Sequence, residues 1–135
     1  MQSYASVALV TVAALLVYLG LGIQVGRTRF KCGIAAPAMT GDARLERAIR
    51  VHYNTLEWLP VFLASLWMFA LYWSPAVAAG LGVVWIVGRL IYAAGYMAAP
   101  LKRAPGFLIQ ALATFVLLFG AAGRVVYLLA AGGAA

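Results

Sequence analysis

A chain of 135 residues, 66% of them hydrophobic and 10% charged, with a mean hydropathy of +0.98, is too apolar to be a soluble domain of this size. Its solvent is lipid, where only helices or a closed barrel satisfy the backbone, and the continuous, non-alternating apolar stretches point to helices. The formal net charge of +7 does not point to nucleic acid, because no basic residue sits in a soluble surface built to track a phosphate backbone.

Four spans of roughly 20 residues each account for the chain. The first runs from about Ala5 to Val25. It lacks the basic leader of a signal peptide and its apolar run is too long for one, so it reads as a retained span. Gly20, Gly22 and Gly26 supply small residues of the kind that let helices approach in lipid. The connection from Arg27 to Asp42 holds the breakers Gly33, Pro37 and Gly41. It also holds the lone cysteine, Cys32, which has no disulfide partner and reads as an incidental loop residue. The second span, residues 44–73, opens as a polar helix near Arg44 and turns apolar from Trp58. Asp42 is placed to cap it, with Glu46 in its first turns. Pro60 removes one backbone donor and is expected to kink this helix one turn past Glu57. Ser74-Pro75 turns the chain into the third span, residues 76–98. Pro100 and Pro105 bracket a tight turn carrying Lys102 and Arg103, and the fourth span covers residues 106–131, ended by Gly132-Gly133. The expected architecture is an all-α, four-helix transmembrane bundle, one domain over residues 1–135.

The cations are unevenly placed. Arg27, Arg29, Lys31, Arg44, Arg47 and Arg50 lie in or beside the first connection, and Lys102 and Arg103 lie in the third. The second connection has no charge, and neither terminus carries a charged side chain. The positive-inside rule puts connections one and three in the cytoplasm and both termini outside.

Three constellations are candidates for chemistry. Arg50, Asn54 and Glu57 fall on one stripe of a helix at about 100° per residue. Snorkelling to water accounts for Arg44 and Arg47, but Glu57 precedes an apolar run and needs a partner at depth. On the third span Arg89, Tyr92 and Tyr96 form a second stripe. Arg89 lies near mid-span, where an arginine costs about 2.5 to 3.5 kcal/mol on insertion scales. Glu57 is the expected partner for Arg89 or for a ligand's cation. The tyrosines alone read equally as an interfacial aromatic belt. Arg103, a turn or less beyond Tyr96, reads either as a positive-inside residue or as a permanent donor for an anion. Arg124 with Tyr127 reads as snorkelling or structural pairing. His52 is the sole histidine, and no His/Cys/Asp/Glu spacing suits a metal. No nucleophilic triad and no phosphate loop is present.

The run Glu46-Arg-Ala-Ile-Arg50-Val-His-Tyr-Asn54-Thr-Leu-Glu57-Trp-Leu-Pro60 resembles the second helix of the MAPEG family, membrane-associated proteins in eicosanoid and glutathione metabolism. Arg89-Leu-Ile-Tyr92-Ala-Ala-Gly95-Tyr96, followed by Arg103-Ala-Pro105, resembles that family's third helix and the turn after it. The likeness covers nearly the whole chain and is strongest to the microsomal glutathione transferases and leukotriene-forming synthases. It implies a homotrimer, with glutathione as co-substrate bound in a bent shape between neighbouring protomers near the cytoplasmic face. It implies glutathione contacts from Arg29, Arg50, Asn54, Glu57, Tyr92 and Tyr96, with Glu57 receiving the ammonium. Arg103 matches the arginine that stabilises the thiolate, and Arg89 a polar position near the site. His52 and Trp58 occupy contact positions where leukotriene-forming members carry glutamine and tyrosine. Phe30 stands where those members have a second arginine, which speaks against a dedicated leukotriene synthase.

The resemblance leads to a bacterial inner-membrane glutathione transferase, acting on hydrophobic electrophiles or lipids from the bilayer, with lipid hydroperoxides as a second expected substrate class. Rival readings are a non-catalytic lipid-binding scaffold, a glutathione-dependent isomerase, and a small proton-coupled multidrug exporter. Surrounding cations suit Glu57 poorly to the last.

Overall fold

The computed structural model describes residues 2–132, and among these the secondary structure is helical throughout. After a short 3-10 turn, Gln2–Tyr4, come α1 (Ala5–Cys32), α2 (Ala43–Tyr72), α3 (Pro75–Ala98), a 3-10 turn (Pro100–Arg103) and α4 (Ala104–Gly132). All four helices are long and apolar enough to cross a membrane. Gly133, expected with Gly132 to end the last span, lies outside the described residues.

The helix ends differ from the span ends in one informative place. The first helix continues past the apolar run through Arg27, Arg29 and Lys31 to Cys32, so Arg29 and Cys32 are helical rather than in a loop. Leaving hydrocarbon ends a span, but arginine and lysine are good helix formers and do not end a helix. Gly33 does, with φ at 68° in the left-handed region that favours glycine. α2 begins as its sequence indicates. Extended Asp42 accepts the Arg44 N–H at 2.8 Å, and the Glu46 carboxylate accepts the Gly41 N–H at 3.2 Å. With 30 residues it exceeds by about ten the ~20 needed to span, so its polar first turns stand clear of the hydrocarbon. The helix runs on through Pro60 to Tyr72. Ser74 caps α3 by accepting the Val77 N–H, and Pro75 takes the first helical position, where its missing N–H costs nothing.

α2 and α3 form the centre of the bundle, and α1 and α4 each pack against both. α4 lies closest to α3 because Gly106 presents no side chain there. A Cβ at this position would overlap the Tyr92 nitrogen and the Gly88 carbonyl oxygen. The apolar interior is in two parts. The larger, around Leu59, Phe62, Leu66, Trp85 and Leu117, is anchored by Phe62 stacked on Trp85 at 4.0 Å between centroids. The smaller contains Leu21, Val51, Tyr92 and Ala93. Between them in sequence, on both central helices, come the buried polar residues Asn54, Thr55 and Arg89. Leu16, Leu19 and Ile23 on α1 and Leu112 and Phe119 on α4 face outward, as lipid-exposed residues do.

Candidate functional site

The polar layer opens to one end of the bundle. Arg50 and Asn54, one turn apart on α2, face Tyr92 and Tyr96, one turn apart on α3. The 3-10 turn after α3 folds back over Gly95, where a Cβ would overlap the Lys102 carbonyl. This return sets the Arg103 guanidinium 5.3 Å from the Tyr96 ring centroid. These side chains, with Ala104, Phe107 and Leu108 from the start of α4, line a cleft of about 630 Å³. One wall is cationic and hydrogen-bonding, the other apolar. A second cavity of about 410 Å³ shares Arg50 and Tyr96 with it and is bounded by Ala43, Glu46, Arg47 and Pro100.

A hydrogen-bonded chain runs from the cleft rim into the bundle. Arg50 Nη1 lies 3.4 Å from Glu57 Oε1, and Asn54 Nδ2 donates to Glu57 Oε2 at 3.3 Å. Arg89 Nη1 donates to Asn54 Oδ1 at 2.8 Å and reaches Thr55 Oγ1 at 3.5 Å. The ion pair expected between Glu57 and Arg89 is therefore not formed. Glu57 lies about 60° round α2 from Asn54, so Asn54 faces α3 and Glu57 turns toward the rim, where its side chain is 54% exposed. Glu57 does not itself line the cleft but bonds two residues that do. Arg89, expected as a polar residue near the site and as a glutathione-binding residue, stands behind Asn54 and does not line the cleft. It is fully buried, with its guanidinium carbon 4.5 Å from the Tyr92 ring centroid and 5.6 Å from that of Trp85.

Other expected site residues lie elsewhere. His52 faces α1, stacked on Tyr18 at 4.6 Å between centroids and packed against Gly22. Arg29 sits in the last turn of α1 and donates to the Ala38 carbonyl. Neither lines the cleft of its own chain. Trp58 borders it indirectly, edge-on to Phe107 at 5.4 Å. Arg124 belongs to the opposite end, bonded to the Tyr72 carbonyl at 3.3 Å and set against Trp73 and Tyr127. This is structural pairing. Arg47 turns out to be more than a snorkelling cation. It donates to the carbonyls of Met97 and Ala98 at 3.2 and 3.3 Å, tying α2 to the end of α3. The apolar wall of Ala104, Phe107 and Leu108 carried no polar signal in sequence. Its one clue was helical spacing from Arg103. Among the described residues no cluster of His, Cys, Asp or Glu could hold a metal ion.

At the start of α2, Arg44 pairs with Asp42 at 3.1 Å. That guanidinium and the Arg44 backbone N–H hold the Asp42 carboxyl well below the usual carboxylate range.

The chain is similar in sequence to known proteins. The sequence profile of the MAPEG family matches residues 7–123. A protein of Synechocystis sp. with no assigned function is 50% identical over 114 residues, 84% of this chain and 83% of its own. Human microsomal glutathione S-transferase 2 is 38% identical over 102 residues, 75% of this chain and 69% of its own. Guinea-pig (Cavia porcellus) leukotriene C4 synthase is 36% identical over 122 residues, 84% of this chain and 81% of its own. With four membrane-length helices and a profile match over most of its length, the chain belongs to the MAPEG family.

Proposed function

We propose that this protein is a membrane-bound glutathione transferase that joins the glutathione thiolate to hydrophobic electrophiles. The observation that carries the reading is a single cleft with Arg50, Asn54, Tyr92, Tyr96 and Arg103 on one side and Phe107 and Leu108 on the other. Glutathione has two carboxylates, one ammonium and an ionisable thiol, and the residues present fit that pattern. Arg50 and the tyrosine hydroxyls suit the carboxylates, and Glu57, between Arg50 and Asn54, suits the ammonium. Arg103 favours the charged form of the thiol and so lowers its pKa, each unit being about 1.4 kcal/mol of differential stabilisation. The thiol proton leaves to water at the cleft mouth. The sulfur then attacks an electrophilic carbon held against Phe107 and Leu108, forming the carbon–sulfur bond as the leaving group departs or a strained ring opens. Electrophiles that partition into the bilayer reach this wall sideways, and lipid hydroperoxides are a second substrate class for the same thiolate.

Arg29 and His52 point away from the cleft of their own chain. They contact glutathione only when supplied by an adjacent copy, which fits a homotrimer with the peptide between protomers. We place the cleft end in the cytoplasm of a bacterial inner membrane, with both termini outside. The exporter reading is disfavoured because Glu57 is paired with Arg50 beside a cationic cleft.

The decisive test is thiolate absorbance of the glutathione complex in purified protein. Arg103→Ala is expected to abolish most of it while leaving the assembly intact. Unchanged absorbance removes Arg103 from this role. Glutathione binding without turnover across varied electrophiles favours the scaffold reading.

A further inference from the structure

We infer that Arg89 is a positioning residue that acts through Asn54: it fixes the Asn54 amide so that an N–H, and not the carbonyl, is presented to the ligand in the cleft. The inference rests on the glutathione-site reading and adds a residue that lies outside the cleft itself.

An asparagine amide is nearly symmetric in shape, and which end faces a ligand is decided by its hydrogen-bond partners. Here both partners are chemically unambiguous. A guanidinium only donates, so the atom 2.8 Å from Arg89 Nη1 is Oδ1. An ionised carboxylate only accepts, so the atom 3.3 Å from Glu57 Oε2 is Nδ2. The two fix the same orientation from opposite sides. Nδ2 carries two hydrogens and Glu57 takes one, so the other is free for an acceptor on the ligand.

Arg89 is suited to hold that orientation. It is fully buried, and a guanidinium offers only donors, so it can face the amide oxygen but not the amide nitrogen. Its guanidinium carbon lies 5.6 Å from the Trp85 ring centroid and 4.5 Å from that of Tyr92. Glu57 alone is a weaker determinant, because its exposed carboxylate also serves Arg50 and is the group an incoming ammonium engages. Without Arg89 the amide can turn its oxygen toward an anionic ligand, replacing an attraction by a repulsion.

A double-mutant cycle tests this, with glutathione binding followed by calorimetry on detergent-purified protein. Arg89→Met and Asn54→Ala are each expected to weaken binding by about tenfold or more. The double variant is expected to bind no worse than the weaker single within about threefold. Turnover of a model electrophile should show the loss in the glutathione KM, with kcat at saturating glutathione within about threefold of wild type. Losses that multiply in the double variant, or an Arg89→Met protein that binds like wild type, overturn the proposal. If Arg89→Met does not give a stable assembly, Arg89→Lys enters the same cycle. It keeps the buried charge but not the planar donor, so its loss should vanish in the Asn54→Ala background. A loss that persists there overturns the proposal. Wild-type protein that binds no glutathione sinks the site reading itself. That result is distinct from one in which wild type binds and the two residues act independently.

Discussion

The three acidic side chains of this chain have separate duties. Asp42 and Glu46 are taken up at the start of α2, where they accept the N–H groups of Arg44 and Gly41. Glu57 is bonded to two residues that line the cleft, Arg50 and Asn54, and in the proposed function it is the group for the glutathione ammonium. Glu57→Gln keeps the shape and the acceptor for Asn54 but removes the charge. Calorimetry should show glutathione affinity falling about tenfold or more, which is ~1.4 kcal/mol or above. The melting temperature should move little, because an exposed ion pair such as Arg50–Glu57 contributes little to stability. Equal affinity in the two proteins removes Glu57 from binding. Asp42 makes a different prediction. Its folded carboxyl is held below the unfolded value of ~3.9, so the cap is complete above that value and is lost only as pH falls through the depressed folded one. A carboxyl resonance of Asp42 titrating at or above ~3.9 contradicts the cap. The polar and aromatic stripes on α2 and α3 that meet at the cleft were legible because ionic and aromatic residues at helical spacing stand out against apolar sequence. The Glu57–Arg89 partnership failed because spacing gives depth and face only to within a turn. A 60° difference round α2 decided that Asn54, not Glu57, meets Arg89.

At the scale of elements, the site depends on how tightly α4 and the 3-10 turn close onto α3. Gly88, Gly95 and Gly106 are points of contact, each lying where a side chain would run into backbone. Backbone cannot swing aside as a flexible side chain can, so Gly106→Ala must push the two helices apart. The expected cost is in the range of 1–3 kcal/mol or more, typical of overpacking, with the apolar wall of the cleft displaced along with α4. Gly20→Ala is the control, since a Cβ there meets nothing within 4 Å. Thermal denaturation in detergent should separate the two variants clearly, and equal melting temperatures refute this account of the α3–α4 contact. The four helices themselves were legible in sequence, since a run of apolar residues of membrane length has few other interpretations. Two features were not. Phe107 and Leu108 line the cleft, but apolar residues in a span look alike whether they face lipid or a ligand. The extension of α1 to Cys32 was hidden because charge marks where the hydrocarbon ends and not where the helix does.

On the scale of the whole molecule, the cations sort to one end. Those of α1, early α2 and the α3–α4 turn lie at the end where the cleft opens, with Arg50 and Arg103 lining it; Arg89 is buried in mid-bundle, and Arg124 is tied down at the other end by Tyr72 and Trp73. In the proposed function the asymmetry serves both topology and chemistry, because the end that the positive-inside rule assigns to the cytoplasm is also the end whose field favours an anionic ligand. The lone cysteine gives a native probe of this orientation. Cys32 is partly exposed at the end of α1, beside the first connection, with Arg44 Nη2 3.7 Å from its sulfur. A membrane-impermeant maleimide should label it in inverted membrane vesicles and leave it untouched in right-side-out ones. Ser74→Cys in a Cys32→Ser background moves the probe to the α2–α3 turn at the opposite end of the bundle, and there the labelling pattern should reverse. Labelling of Cys32 from outside would turn the molecule over. The proposed cleft would then open away from a cytoplasmic thiol pool, and with it would go the reading of a cytoplasm-fed transferase, whatever the affinity of the cleft for glutathione.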